Sequence, residues 1–314
     1  QLTVNKINGC SVSTVKGDND SNGVHEVREG GTITVSGNNL QLAKSVKIVV
    51  DGGATHTVEV TDADLADGLS FVLPSGVTSA GTIYLVNQYG YEVQAGGYEM
   101  AFPTGVSLSS PIKAGETVPI TGTDMDLVSS VKFHNNVDPV ETTVISGTEI
   151  RVKVPDTAIG GDLSLVTKYG KTIYVSYSLV KPVFARYSTT DTDPATKAFV
   201  GESLIINGSD MDLVTSVTFT EAESVTPTSI SADAITVTVP SDAKTGQIYL
   251  NLANGTSVPC PELTIDYPWC YITDNLKAME IYSGSTIEVN VANGSALTEV
   301  VVNDVVVKSG PSES

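Results

Sequence analysis

Two stretches of this chain use nearly the same residues in the same order. Residues 114–133 read AGETVPITGTDMDLVSSVKF, and residues 200–219 read VGESLIINGSDMDLVTSVTF. A looser copy covers residues 30–48, and a fragmentary one follows near the end of the chain. The copies begin at glycines spaced about 85 residues apart, namely Gly30, Gly115, Gly201 and Gly284. This spacing is too long for a solenoid repeat and is typical of a small β-sandwich domain.

The second half of each full repeat supports the same interpretation. A strand-like segment ends in proline and is followed by a hairpin pattern with glycine where the turn needs a positive φ. The strand segments are residues 69–74, 150–155 and 235–240, and the hairpins are residues 81–90, 161–170 and 246–255. Apolar and polar residues alternate strictly in two of these segments, as in a half-buried antiparallel strand.

The chain is therefore predicted to be all-β, with tandem β-sandwiches in an elongated array. The predicted boundaries are 1–102, 103–180 and 181–266 for three full repeats, and 267–314 for the opening half of a fourth. Each junction contains a proline, which restricts the angle between neighbours. Helix is expected only as single turns at residues 61–67 and 273–280.

The tail after residue 267 contains counterparts of only some repeat elements. Residues 284–291 match the glycine-led strand, and residues 297–307 match the next strand with a tight turn at Asn303 and Asp304. The Val-Pro strand and the closing hairpin have no counterpart. We expect the natural chain to continue beyond Ser314, with packing against the third repeat or completion by a partner strand as alternatives.

Charge excludes several classes of partner. The sequence has 36 acidic and 17 basic residues, which gives a formal net charge of −19. Such a surface repels nucleic acids and anionic membrane surfaces, and it is common in soluble extracellular proteins. No run of 18 apolar residues is present, so any membrane attachment is expected through a lipid anchor outside this sequence.

Cysteine and histidine usage indicates neither a metal site nor an enzyme. Three cysteines without a CxxC pair leave at least one free thiol. Cys260 and Cys270 could form a disulfide, and the alternative is that all three cysteines are small buried hydrophobic residues. The three histidines occupy positions unrelated by the repeat, without a nucleophile elbow. We therefore predict a non-catalytic protein.

Acidic pairs follow the second glycine of two repeats. Asp124 and Asp126, like Asp210 and Asp212, are spaced so that both acids could face one cation, with calcium as the first candidate. The first repeat has Asn39 and Gln41 at these positions, so the alternative is a structural corner whose acids cap backbone amides.

Aromatic side chains are the candidate sugar-binding residues, because sugar rings stack on flat faces. Tyr267, Trp269 and Tyr271 alternate along one segment that holds the only tryptophan, and we expect them to form one flat platform. Packing of Trp269 into the joint between repeats is the alternative. The hairpins contain further tyrosines, which serve either binding or cross-strand packing: Tyr89, Tyr91, Tyr169, Tyr174 and Tyr177.

The glycine-led strand, the second glycine, the Ser-Val-x-Phe strand, the Val-Pro element and the hairpin together resemble the IPT/TIG immunoglobulin-like family. The usual Asn-Phe after the second glycine is replaced by Asn39-Leu40, Asp124-Met125 and Asp210-Met211, as in a divergent branch. Tandem repeats of this kind look most like surface glycan-binding or adhesion lipoproteins of Bacteroides-type bacteria. In those proteins such modules are commonly spacers, and a distinct C-terminal domain, not recognised here, contacts glycan.

The resemblance implies a cell-surface protein, on the outer membrane of a Gram-negative bacterium, for carbohydrate binding or adhesion. Its expected partners are a polysaccharide or another cell-surface protein. The competing hypothesis is a purely structural spacer that presents another domain.

Overall fold

The computed structural model describes residues 9–19, 25–65, 68–135, 138–267, 269–271, 290–292, 299–302 and 305–309. These residues form β-strands joined by loops and short 3-10 helices, with no α-helix among them, which confirms the all-β prediction. The chain divides into two compact units. Unit 1 comprises residues 1–109, 117–153 and 161–177, and unit 2 comprises residues 110–116, 154–160 and 178–314.

Unit 1 contains four antiparallel sheets with one parallel strand pair. Its strands are β1 (Ser11–Gly17), β2 (Glu26–Val27), β3 (Thr32–Asn38), β4 (Ala43–Val50), β5 (Thr55–Glu59), β6 (Leu69–Val72), β7 (Gly81–Asn87), β8 (Glu92–Met100), β9 (Thr104–Leu108), β10 (Thr117–Thr123), β11 (Val128–Lys132), β12 (Thr142–Ser146), β13 (Glu149–Lys153), β14 (Gly161–Thr167) and β15 (Thr172–Tyr177). The sheet orders are β1-β3-β6, β2-β8-β7-β4-β5, β12-β13-β10-β9 and β11-β14-β15. The parallel pair is β2 with β8.

Unit 2 repeats this plan. Its strands are β16 (Val183–Ser188), β17 (Lys197–Phe199), β18 (Ser203–Ser209), β19 (Val214–Thr220), β20 (Ser229–Ile230), β21 (Ala234–Thr238), β22 (Lys244–Leu252), β23 (Ser257–Asp266), β24 (Trp269–Tyr271), β25 (Asn290–Ala292), β26 (Glu299–Val302) and β27 (Val305–Ser309). The two larger sheets are β16-β18-β21-β20 and β17-β23-β22-β19, and β17 pairs with β23 in parallel.

Burial follows the alternation of the strands. In β3 and β6 the side chains of Ile33, Val35 and Leu69 are buried in one cluster with residues of β4 and β7. The equivalent side chains Leu204, Ile206 and Ile235 are buried with residues of β19 and β22 in unit 2. One face of each sheet therefore supplies a separate core for the first and the third repeat, as in immunoglobulin-like sandwiches.

A tight corner follows the second glycine in every full repeat. Asn39, Asp124 and Asp210 have left-handed backbones with φ between 54° and 60°, and each is the residue immediately before a 3-10 helix. These helices are η1 (Leu40–Leu42), η3 (Met125–Leu127) and η4 (Met211–Leu213). None of the three residues makes a side-chain capping bond. The expectation that the acids at this corner cap backbone amides is therefore wrong for Asp124 and Asp210.

The remaining expectations on helix and on the tail have mixed outcomes. A 3-10 helix, η2, spans Asp62–Leu65, as predicted. The three corner helices were not foreseen, and the turn predicted at residues 273–280 lies outside the described residues. In the tail, β24 pairs with β25, and β26 pairs with β27 on either side of residues 303–304. The boundaries of the four predicted repeats stay a prediction.

Candidate ligand-binding site

The hairpin turn between β7 and β8 presents two tyrosine rings. Gly90 has φ +80°, and the carboxamide oxygen of Asn87 accepts hydrogen bonds from the backbone N–H groups of Tyr89 (2.9 Å) and Tyr91 (3.0 Å). An Asx turn of this kind fixes the backbone that carries both rings. Their side chains remain largely in solvent, with 75% of Tyr89 and 73% of Tyr91 exposed.

These rings border a cleft of about 500 Å³ in unit 1, which we call the tyrosine cleft. Its floor is the buried Leu85, and its walls come from the hairpin, from η1 and β4, and from the segment that enters β1. The walls carry Gln41, Leu42, Lys44, Asn87, Gln88 and Cys10. Aromatic faces, carboxamides and one ammonium group thus surround a concave apolar floor. Among the described residues, no carboxylate lines the cleft.

In the second and third repeats, aspartates occupy the positions that correspond to Asn39 and Gln41. In each case a basic side chain forms ion pairs with both aspartates. Within unit 1, the guanidinium of Arg28 donates to both oxygens of Asp126 at 2.7 and 3.1 Å and also to Asp124. Asn19 Nδ2 donates to the second oxygen of Asp124 at 2.8 Å. We call these four residues the Arg28 cluster. The hydrogen bond from Arg28 lowers the pKa of Asp126 and raises that of Arg28 itself.

The second acidic pair is bound in the same way. Within unit 2, Lys113 Nζ lies 2.8 Å from a carboxylate oxygen of Asp210 and 2.8 Å from one of Asp212. These hydrogen bonds, with that to Asp210 the larger cause, raise the pKa of Lys113 to about 12. We call these three residues the Lys113 cluster. The four aspartates proposed as calcium ligands are therefore paired with basic side chains of the protein, namely Arg28 and Lys113. Within the described ranges, no group of three or more His, Cys, Asp or Glu side chains is placed to hold a metal ion.

The hairpin position of Tyr89 also has a partner in the later repeats. Its counterpart Tyr169 accepts a hydrogen bond through its hydroxyl from the backbone N–H of Glu29 (3.0 Å). The next counterpart, Asn254, donates from Nδ2 to the carbonyl of Ala158 (3.0 Å). The first of these contacts lies within unit 1 and the second within unit 2.

The predicted platform of three aromatic rings is described only at Tyr267. This residue is 42% exposed, accepts a hydrogen bond from Lys244 Nζ at 2.6 Å and donates to the carbonyl of Ala243 at 2.8 Å. Lys244 Nζ also lies 4.8 Å from the ring centre. Trp269 and Tyr271 form backbone pairs in β24, but their side chains lie outside the described residues, so the platform stays a prediction.

The other hairpin tyrosines divide between packing and exposure. Tyr177 is buried, and its ring packs edge-on against Phe133 at 5.3 Å. Tyr174 is 69% exposed on β15 and does not line the tyrosine cleft. Cys10 and Cys260 are free thiols, and burial raises the pKa of Cys260 to about 11. The proposed disulfide of Cys260 with Cys270 is therefore absent, because Cys260 is free.

Sequence reasoning singled out Tyr89 and Tyr91 but missed the residues around them and the basic residues of the clusters. Gln41 and Lys44 become neighbours of the rings only when η1 and the start of β4 meet the hairpin. A signal for the basic residues was present in the alignment. Arg28 and Lys113 each lie two residues before the leading glycine of their repeat.

A model of the IPT/TIG domain matches residues 101–181. The matched segment overlaps the repeat predicted at residues 103–180, and the match agrees with the resemblance found in the sequence. A comparison with curated protein sequences gave no match. Of the helices in the described part of the chain, none has the length and apolar character needed to cross a membrane.

Comparison with solved structures gave matches of low identity and low TM-score. SGBP-B from a mixed-linkage glucan utilization locus of Bacteroides ovatus, solved with a mixed-linkage heptasaccharide, is 15% identical, with a TM-score of 0.24 over 84% of this chain and 72% of that chain. A surface glycan-binding protein from Prevotella bryantii is 19% identical, with a TM-score of 0.26 over 51% and 42%. The I9–I11 tandem of titin is 8% identical, with a TM-score of 0.32 over 82% and 100%.

Proposed function

We propose that this protein binds neutral carbohydrate without catalysis, at the surface of a bacterial cell, and that the tyrosine cleft is its binding site. The observation that carries the proposal is the pair of exposed rings, Tyr89 and Tyr91, held by a rigid turn beside an apolar floor and carboxamide side chains. Attachment to the outer membrane through a lipid anchor belongs to the same proposal.

The cleft has the chemistry that a sugar ring requires. Tyrosine rings present flat apolar faces to the C–H side of a sugar, while Gln41 and Gln88 can both donate to and accept from its hydroxyl groups. A volume of about 500 Å³ falls within the range of about 300 to 1,000 Å³ that is usual for small-ligand sites. A few sugar units of a longer chain would fit in a cleft of this volume.

The exchange of acids for amides favours a neutral ligand. In the second and third repeats the same corner carries two aspartates, and a basic residue covers them. In the first repeat Asn39 and Gln41 stand at these positions. Amides bind hydroxyl groups without the desolvation cost of an unpaired carboxylate. Gln41, which lines the cleft, would thus let the first repeat use the shared corner for a different kind of contact.

A spacer role is the second candidate. The Arg28 and Lys113 clusters connect the glycine-led segment of one repeat to the corner of the next, as expected of modules that hold another domain in place. If the protein is only a spacer, the tyrosine cleft has no affinity for saccharides.

Affinity gel electrophoresis separates the two candidates. The whole chain is run through gels that contain neutral polysaccharides, including hydroxyethyl cellulose, glucomannan, galactomannan and arabinoxylan. Binding is expected to retard the protein in at least one gel, and the double variant Tyr89→Ala/Tyr91→Ala should weaken that binding about tenfold or more. Tyr174→Ala removes an exposed ring outside the cleft and serves as the matched control. Unretarded migration in all gels would support the spacer.

A further inference from the structure

We propose that the two aspartates at the corner of one repeat are a docking site for the basic residue that lies two positions before the leading glycine of the preceding repeat. In this proposal, the ion pairs between the basic residue and the two aspartates determine which repeats can be neighbours, and they stabilise the junction between those repeats. This inference concerns joints between repeats and does not depend on the proposed carbohydrate binding.

The first support is that the same contact occurs twice at equivalent positions. Arg28 lies two residues before Gly30, and it binds Asp124 and Asp126. Lys113 lies two residues before Gly115, and it binds Asp210 and Asp212. The two basic residues differ in type while the acidic pair is the same. The requirement is thus a cation at this position, which either side chain satisfies.

The geometry of the corner explains why two acids are needed. The left-handed residue immediately before η3 or η4 carries one carboxylate, and the residue two positions later carries the other. A single 3-10 turn therefore directs both groups to one point. The charged side chains of the Arg28 cluster are 17% to 35% exposed, and those of the Lys113 cluster are 16% to 41% exposed, so these bonds are partly shielded from water.

A second contact accompanies each cluster. The hydroxyl of Tyr169 accepts from the backbone of Glu29, next to Arg28, and Asn254 donates to the carbonyl of Ala158. In unit 2 a cavity of about 260 Å³ lies beside the Lys113 cluster, lined by Ala114 and Asp156 on one side and by Asp212, Leu213 and Asn254 on the other. Charge pair and hairpin contact recur together at both joints, as parts of one interface would.

Two repeats lack one of the partners that this ion-pair contact requires. The third repeat has Phe199 two residues before Gly201, so it offers no cation to an acidic corner. The first repeat has Asn39 and Gln41 in place of the acids, so its corner cannot receive one. The partner that fits an acidic corner is therefore a repeat with lysine or arginine at this position.

Nuclear magnetic resonance on the whole chain tests the proposal with two crossed variants. Arg28→Gln should remove the nuclear Overhauser contact between the Tyr169 ring and the Glu29 amide, while the contact between the Asn254 side-chain amide and Ala158 remains. Lys113→Gln should do the converse. Each variant is the matched control for the other, because both remove one partly exposed cation from the same repeat position.

Conservative variants complete the test. Arg28→Lys and Lys113→Arg should keep both contacts, since each places at one joint the side chain that the other joint uses. Residual dipolar couplings of the first two repeats should fit one alignment tensor in the native chain and in Arg28→Lys, and two tensors of different magnitude in Arg28→Gln. Persistence of both contacts and of a common tensor in Arg28→Gln would overturn the proposal.

Discussion

Replacement of Asp126 by asparagine tests the energetics of the Arg28 cluster. The change keeps the shape of the side chain and removes the charge that accepts two hydrogen bonds from Arg28, at 2.7 and 3.1 Å. Arg28 then keeps its bond to Asp124. The variant therefore isolates one carboxylate of the pair.

The expected loss is small because the pair is partly solvated. The side chains of Arg28 and Asp126 are 35% and 32% exposed, and exposed ion pairs contribute about 0.2 to 1 kcal/mol. Two-pronged contact with a guanidinium places this pair near the upper end, at about 1 kcal/mol. For a cooperative unit of about 150 to 250 residues, this loss lowers Tm by about 2 to 4 °C.

Differential scanning calorimetry as a function of pH tests how the stabilising contribution of the Asp126 carboxylate changes with pH. The pKa of Asp126 is lowered in the folded protein, so its contribution is present above the unfolded value of about 3.9 and is lost as the pH falls through the folded value. The variant should melt below the native protein at pH 7, and the two melting temperatures should converge well below pH 4. High salt should also reduce the difference.

Glu149→Gln is the control. It removes a carboxylate that forms an ion pair with Arg151, two residues away on the same strand, and the side chain of Arg151 is 55% exposed. It should change Tm by much less. An Asp126→Asn variant that melts with the native protein at pH 7, or a difference that persists unchanged at low pH, would refute this account of the cluster.

Two further predictions concern the third repeat. Gly208→Ala should destabilise unit 2 by about 1 to 3 kcal/mol, because the added Cβ would overlap the carbonyl oxygen of Val183. Gly122→Ala should cost less, because there the nearest atoms are the movable Sδ of Met125 at 2.9 Å and the Thr104 oxygen at 3.0 Å; chemical denaturation compares the two, and an equal loss would contradict the argument. Cys260 should resist alkylation in the folded protein at pH 8, because its thiol is buried and its pKa is raised to about 11; peptide-resolved mass spectrometry checks this, and rapid native labelling of Cys260 would contradict it.

The fold class could be predicted from the sequence because the same strand and turn patterns recur in each repeat. Alternation in residues 150–154 and 235–239 indicated strands with one buried face, and β13 and β21 have that pattern. Glycines at positions such as Gly90 and Gly255 marked turns, and both have positive φ. Local rules were sufficient here, since strand pairing and hairpin turns depend on neighbours in sequence.

The site was only partly predictable, because its residues meet through tertiary contacts. Tyr89 and Tyr91 were recognised as aromatic residues on either side of a hairpin turn, whereas Gln41 and Lys44 come from a different part of the chain. The acidic pairs indicated a bound cation, but spacing within one segment could not show that this cation is a side chain about 100 residues away. Arg28 bridges 96 and 98 residues to reach its two partners.

The most direct test of the central claim is chemical-shift mapping with short oligosaccharides from a neutral polysaccharide that retards the protein in gels. Titration of the isotope-labelled whole chain is expected to shift amides of residues 41–44 and 87–93, around Tyr89 and Tyr91. The Tyr89→Ala/Tyr91→Ala variant should lose these shifts while keeping a native spectrum elsewhere. Shifts confined to residues 267–271, or no shifts at any site, would contradict carbohydrate binding at the tyrosine cleft.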